Sequence, residues 1–144
     1  MKSAPHPDAP PGWQAVTEDD PFETANGPLF VSLAHTASAE EPVRLGWRVA
    51  PHNANMMGSA HGGIIAAFMD LVLGRAAWAS AGRPAPTVSM TVDFVRAARI
   101  GVWLEGRVRV TRKARRLVFA DATILGDDGR TIARGSGLFA VPDA

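Results

Sequence analysis

Two hydrophobic rhythms divide this chain. From Thr87 onward polar and apolar residues alternate, with Thr87, Ser89, Thr91 and Asp93 interleaving Val88, Met90, Val92 and Phe94. The alternation returns at 102–110, where Trp103, Glu105, Arg107 and Arg109 interleave Val102, Leu104, Val108 and Val110. A period of two places successive side chains on opposite faces of a sheet, so these are predicted strands. Two more follow at 117–125 and 131–141, joined by the hairpin-turn sequence Gly126-Asp127-Asp128-Gly129. Upstream, the turn signal Asn26-Gly27-Pro28 precedes a predicted strand at 29–34, and Arg44-Leu45-Gly46-Trp47-Arg48-Val49 alternates as a second.

Residues 60–81 keep a different rhythm. Ile64, Ile65, Phe68, Met69, Leu71, Val72, Ala76 and Trp78 cover almost the whole circumference of a helix, the pattern of one buried on several sides. Gly82-Arg83-Pro84-Ala85-Pro86 stops it. Successive hairpins without helices between them imply an antiparallel sheet. The predicted class is α+β, an antiparallel sheet of five to six strands wrapped around one long central helix. Pro5, Pro7, Pro10 and Pro11 make residues 1–20 a proline-rich arm, expected to be irregular with a short turn at 13–18. Residues 21–144 read as one domain, without repeats.

Composition narrows the function. With 144 residues the chain is long enough to bury one core. Having no cysteine, it excludes disulfides, thiolate metal sites and a cysteine nucleophile, and it suits the reducing cytoplasm. Net charge is +1 and no nucleic-acid motif is present, so nucleic acid is not expected as a partner. Prolines follow the Met1-Lys2-Ser3 start where a signal peptide would be apolar. The most apolar stretch, 64–79, carries Asp70 and Arg75 and falls short of the ~20 residues of a bilayer span, so no membrane is expected.

The candidate chemistry lies where the glycine-rich segment Asn55-Met56-Met57-Gly58-Ser59-Ala60-His61-Gly62-Gly63 enters the helix. A helix N-terminus offers free N–H groups and a positive dipole end, so Gly62 and Gly63 are either oxyanion donors or ordinary turn glycines that relieve crowding. Asp70 is costly to bury in so apolar a helix unless paired, hydrated or functional. His61 is a general base by type, but a positive helix end disfavours imidazolium, which favours a structural role. Asn55 is either a turn residue or an amide aimed at a carbonyl or a water. No histidine pair has zinc-site spacing, so no metal is expected. Gly135-Ser136-Gly137 lacks the spacing of a nucleophile elbow. Ala133, Gly135 and Gly137 instead predict close packing on one strand face. Arg112-Lys113-Ala114-Arg115-Arg116 sits at a predicted hairpin tip, with Arg96 and Arg99 beyond another strand. These are either solvated charges or a landing point for a phosphorylated ligand.

Taken together, Asn55, Gly58, His61-Gly62-Gly63, Asp70, the strand from Thr87 to Phe94, Arg96-Ala97-Ala98-Arg99-Ile100-Gly101 and Gly129-Arg130-Thr131-Ile132-Ala133-Arg134-Gly135 resemble the hotdog-fold acyl-CoA thioesterases of the phenylacetate-pathway type. Pro21-Phe22 and Gly27-Pro28 resemble the family's opening. The resemblance implies a hydrolase that splits a medium- or long-chain or aryl acyl-CoA into acid and CoA, with no cofactor besides that substrate. Asp70 would be general base or nucleophile, and the Gly62 N–H would polarise the thioester carbonyl. Asn55 would position carbonyl or water, His61 would support the loop or the leaving group, and Thr87 would hold the lytic water. Gly63, Ser89, Arg96, Arg112, Lys113 and Arg115 would contact substrate, with Ser89 the alternative to Thr87. Non-catalytic acyl-CoA binding and enoyl-CoA hydration are the other activities known on this fold. Eight residues of helix put Gly62 and Asp70 roughly 12 Å apart, so this mechanism requires a homodimer in which Asp70 faces Gly62 and Asn55 of the other chain. Relatives commonly assemble as homotetramers.

Overall fold

A computed structural model describes residues 6–17 and 20–143. Seven strands form one antiparallel sheet: β1 (Trp13–Ala15), β2 (Leu29–Ser32), β3 (Arg44–Arg48), β4 (Thr87–Phe94), β5 (Trp103–Lys113), β6 (Leu117–Leu125) and β7 (Thr131–Ala140). Their spatial order is β1-β2-β3-β5-β6-β7-β4. A short helix α1 (Pro21–Asn26) precedes β2, and the long α2 (Gly62–Ala81) lies on one face of the sheet, against β4 to β7. This is the predicted α+β architecture, with seven strands in place of five or six.

Packing between α2 and the sheet explains the small residues of the closing strands. Met69, Val72, Leu73 and Ala76 are fully buried. A Cβ added at Gly106 would lie 2.3 Å from Val72 Cγ2, and one at Gly135 would lie 3.0 Å from Met69 Sδ. Only glycine lets helix and strand approach this closely. Gly135 and Gly137 therefore do on β7 what the sequence suggested.

Two elements depart from expectation. Residues 13–15 are a strand where a turn was expected, and residues 18 and 19 of that expected turn lie outside the described residues. The physical reason is an aromatic cluster on the face of the sheet away from α2. Trp13 meets Trp103 edge-to-face at 5.1 Å, Phe30 lies 5.4 Å from the same ring, and Gly46 leaves the space that ring fills. The second element is α1, whose signals are local. Asp20 Oδ1 accepts the Glu23 N–H at 2.9 Å, Pro21 occupies the first turn, and the Gly27 N–H returns to Glu23 O at 2.7 Å.

Helix α2 begins two residues later than predicted because His61 caps it, and it ends at Gly82, whose φ of +73° suits glycine. Its 20 residues are long and apolar enough to cross a membrane, by length and composition alone. Here it is the core helix of the sheet. β4 forms one edge of that sheet, eight residues long and largely exposed, whereas the opposite edge, β1, has three residues.

Candidate active site

The loop before α2 is organised by Asn55. Its N–H donates to Ser59 O at 2.8 Å, while its Oδ1 accepts the N–H groups of Met57 and Ser59 at 3.0 and 3.3 Å. Gly58, at φ +77°, makes the tight bend possible. Ala60 N–H to Ala98 O at 2.7 Å and Ile100 N–H to Gly58 O at 3.1 Å tie this loop to the segment after β4. Its oxygen is occupied, whereas Nδ2, a donor, has no acceptor among the described residues.

His61 caps the start of α2. Its Nδ1 accepts the Gly63 N–H at 2.9 Å, which places the proton of the neutral ring on Nε2. Gly63 is tied to this cap, since a Cβ there would lie 3.0 Å from Nδ1. The preceding N–H, on Gly62, finds no acceptor among the described residues. A Cβ on Gly62 would meet only the Phe94 ring, at 3.7 Å. Gly62 and Asn55 face an open cleft of about 500 Å³, lined also by Met57, Phe94, Arg96 and Arg99. A free backbone N–H and a free amide at a helix N-terminus form a site for an oxygen that gains negative charge.

Asp70 lies elsewhere. Its Oδ1 accepts the Thr87 hydroxyl at 2.7 Å. It lines a second cleft of about 320 Å³, together with Glu23, Gly74, Arg75, Trp78 and Phe139. Glu23 is buried and pairs with Arg75 at 2.5 Å. Along one chain, then, Gly62 and Asn55 line one cleft and the Asp70 carboxylate another.

The choice between Thr87 and Ser89 turns on a β-bulge. Thr87 stands opposite Phe139 and Ser89 opposite Leu138, so two steps on β4 match one on β7. Opposed residues share a face, and Phe139 is fully buried beneath α2. Thr87 therefore points toward the helix, whereas Ser89 joins Thr91 and Asp93 on the far face. Simple alternation had put both hydroxyls on one face. The extra residue, Val88, separates them.

The basic residues also divide. Arg112 and Lys113 end β5, and Arg115 lies in the turn to β6; all three are exposed and line neither cleft. Arg107, Arg109, Arg116 and Arg134 each meet a carboxylate. Arg96 and Arg99 have no carboxylate partner among the described residues, and both line the Gly62 cleft. Of the basic residues the sequence offered as a phosphate landing point, Arg96 and Arg99 line a cleft, whereas Gly74, in the Asp70 cleft, went unnoticed. The signal for Gly74 was available, a lone glycine inside a helical pattern.

The thioesterase superfamily profile matches residues 57–133, which hold Gly62, Asp70 and Thr87. A Pseudomonas aeruginosa protein, named provisionally as an esterase, is 33% identical over 135 residues, covering 92% of this chain and 97% of its own. A mutant structure of the phenylacetic acid degradation protein PaaI of Thermus thermophilus shares 26% identity at a TM-score of 0.74, covering 85% of this chain and all of that one. A Streptococcus mutans protein solved with acetyl-CoA bound shares the fold at a TM-score of 0.70 and 20% identity, covering 75% of this chain and 86% of that one. Profile and sequence relative agree with the geometry: the chain belongs to the thioesterase superfamily and is a thioester hydrolase.

Proposed function

We propose that this hydrolase acts on acyl-CoA, within sites shared by two copies of the chain. One observation carries the reading. Gly62 offers an unspent N–H two helical turns from Asp70, in a different cleft, so neither cleft of one copy holds a full catalytic set. A second copy supplies the missing half. The long exposed edge of β4 is the natural seam, because an unpaired strand edge with exposed Val88 and Phe94 is a template for another strand. The support for CoA as the thiol is the resemblance noted above, the acetyl-CoA held by the Streptococcus mutans protein of this fold, and the unpaired Arg96 and Arg99 beside Gly62.

In this mechanism the thioester carbonyl oxygen lies against the Gly62 N–H and Asn55 Nδ2 of one chain. On the other chain the Thr87 hydroxyl donates its hydrogen bond to Asp70 Oδ1 of that same chain, which leaves Thr87 Oγ1 and Asp70 Oδ2 as neighbouring acceptors for one water. Asp70 takes a proton from that water as its oxygen attacks the carbonyl carbon. The oxyanion collapses, the C–S bond breaks, and the sulfur leaves with the proton that Asp70 returns. His61 shapes the helix entrance. A cysteine-free chain of this kind is proposed to work in the cytoplasm.

A panel of acetyl-, hexanoyl-, lauroyl- and phenylacetyl-CoA, followed by release of free thiol, tests the reading. Turnover of at least one of them is expected. Saturable binding without thiol release, from folded wild-type protein, would show a binding protein instead. With crotonyl-CoA added to the panel, loss of its enoyl-thioester absorbance without thiol release would show a hydratase.

A further inference from the structure

We infer that the acyl group crosses α2 at Gly74, between Asp70 and Trp78, so that Gly74 and Trp78 set the size of acyl group accepted. The inference rests on the acyl-CoA reading and extends it to substrate selection.

Gly74 is an anomaly in this helix. A glycine in a helix interior costs stability relative to alanine, and most interior glycines of this protein have a packing reason. A Cβ at Gly106 would lie 2.3 Å from Val72, and one at Gly46 would lie 2.2 Å from Trp103. At Gly74 the nearest atom is Phe139 Cε1 at 3.6 Å, an ordinary contact. Nothing within the chain requires the missing side chain.

Its position supplies the reason. Asp70, Gly74 and Trp78 are spaced by four, which stacks them along one stripe of α2. All three line the second cleft. The absent side chain leaves a trough between the carboxylate and the indole, which is 44% exposed. Leu71 and Phe139 add apolar surface, and Pro84 and Pro86 give the facing loop a stiff wall. An acyl tail must leave the reacting carbon toward apolar surface, and this trough begins beside Asp70.

Charge orients the substrate the same way. Asp20, Glu23 and Asp70 border the Gly74 cleft, with Arg75 as the counterion of Glu23. The Gly62 cleft instead carries the unpaired Arg96 and Arg99. Phosphates are drawn to the Gly62 cleft and repelled by the Gly74 cleft. CoA thus lies on the chain that donates Gly62, and the acyl group on the chain that donates Asp70.

The test is the affinity of non-hydrolysable S-alkyl-CoA thioethers, ethyl, hexyl and 2-phenylethyl, for wild type, Gly74→Ala and Trp78→Ala, measured by calorimetry with thiol release alongside. Gly74→Ala should keep the ethyl compound within about twofold and lose about tenfold or more on the two larger ones, the discrimination that one misplaced methyl gives in an apolar pocket. Its melting temperature should hold or rise, which separates occlusion from misfolding. Trp78→Ala should shift preference toward longer chains. Equal affinities of Gly74→Ala and wild type for all three thioethers would overturn the inference, as would a uniform loss or a changed oligomeric state, which would make Gly74 an interface contact. Size-selective binding with no thiol release by wild type would leave this inference standing and remove the hydrolase reading. Wild-type protein that binds no thioether would remove both.

Discussion

The two sides of α2 obey different rules. On the sheet side Met69, Val72, Leu73 and Ala76 are fully buried against strands whose glycines make room for them. Met69, Val72 and Leu73 there each face a strand glycine, Gly135, Gly106 and Gly137 respectively. On the cleft side Asp70, Gly74 and Trp78 are partly or largely exposed, and each is a poor choice for an isolated domain: a charge in an apolar helix, a glycine in mid-helix, an uncovered indole. Residues that cost stability without internal return are residues kept for something outside the chain. The helix start repeats the contrast within one turn, where the Gly63 N–H serves the His61 cap and the Gly62 N–H meets no acceptor among the described residues.

Substitutions on either side should separate activity from stability. Asp70→Asn should lower thiol release by about 10²–10⁴-fold with unchanged thermal melting; full turnover would remove Asp70 from the reaction. Thr87→Val, of similar shape, removes a hydrogen bond to a charged group and should cost about 10–100-fold in kcat, again without a shift in melting. On the sheet side the signs reverse. Gly106→Ala drives a Cβ into Val72 and should destabilise by about 1–3 kcal/mol, read as a lower denaturation midpoint with little change in acyl preference. Gly74→Ala completes the contrast, with a gain of up to about 1 kcal/mol in the same denaturation experiment. If both glycine variants were destabilised alike, the distinction between the two sides would fail.

Much of this was legible in the sequence. The period-two strands, the Gly126–Gly129 turn and the all-round apolar helix follow from backbone geometry, and β4, β6 and the end of α2 lie where the pattern put them. Asp70 stood out because a charge there contradicts its surroundings. What escaped was non-local or off-period. β1 exists because Trp13 finds Trp103, ninety residues away in sequence, and no local pattern announces that meeting. The bulge at Val88 adds one residue to one strand, so counting alternate residues put Ser89 on the wrong face. Arg112, Lys113 and Arg115 drew notice by density of charge, although Arg96 and Arg99 reach the cleft. Density is visible in a sequence; proximity to Gly62 needs the fold.

The central claim, a site divided between two chains, has a direct test in mixing two inactive variants. Gly62 is the first residue of α2, and His61 before it has φ −59° and ψ 139°, a conformation compatible with a following proline. Gly62→Pro therefore removes the oxyanion N–H and keeps the helix start. It should be inactive alone, as should Asp70→Asn. Unfolded together in equal amounts and refolded, they pair at random, and each mixed dimer contains one intact site, so about a quarter of wild-type thiol release should return. Activity no higher than that of the separate variants, from properly mixed dimers, would contradict a shared site.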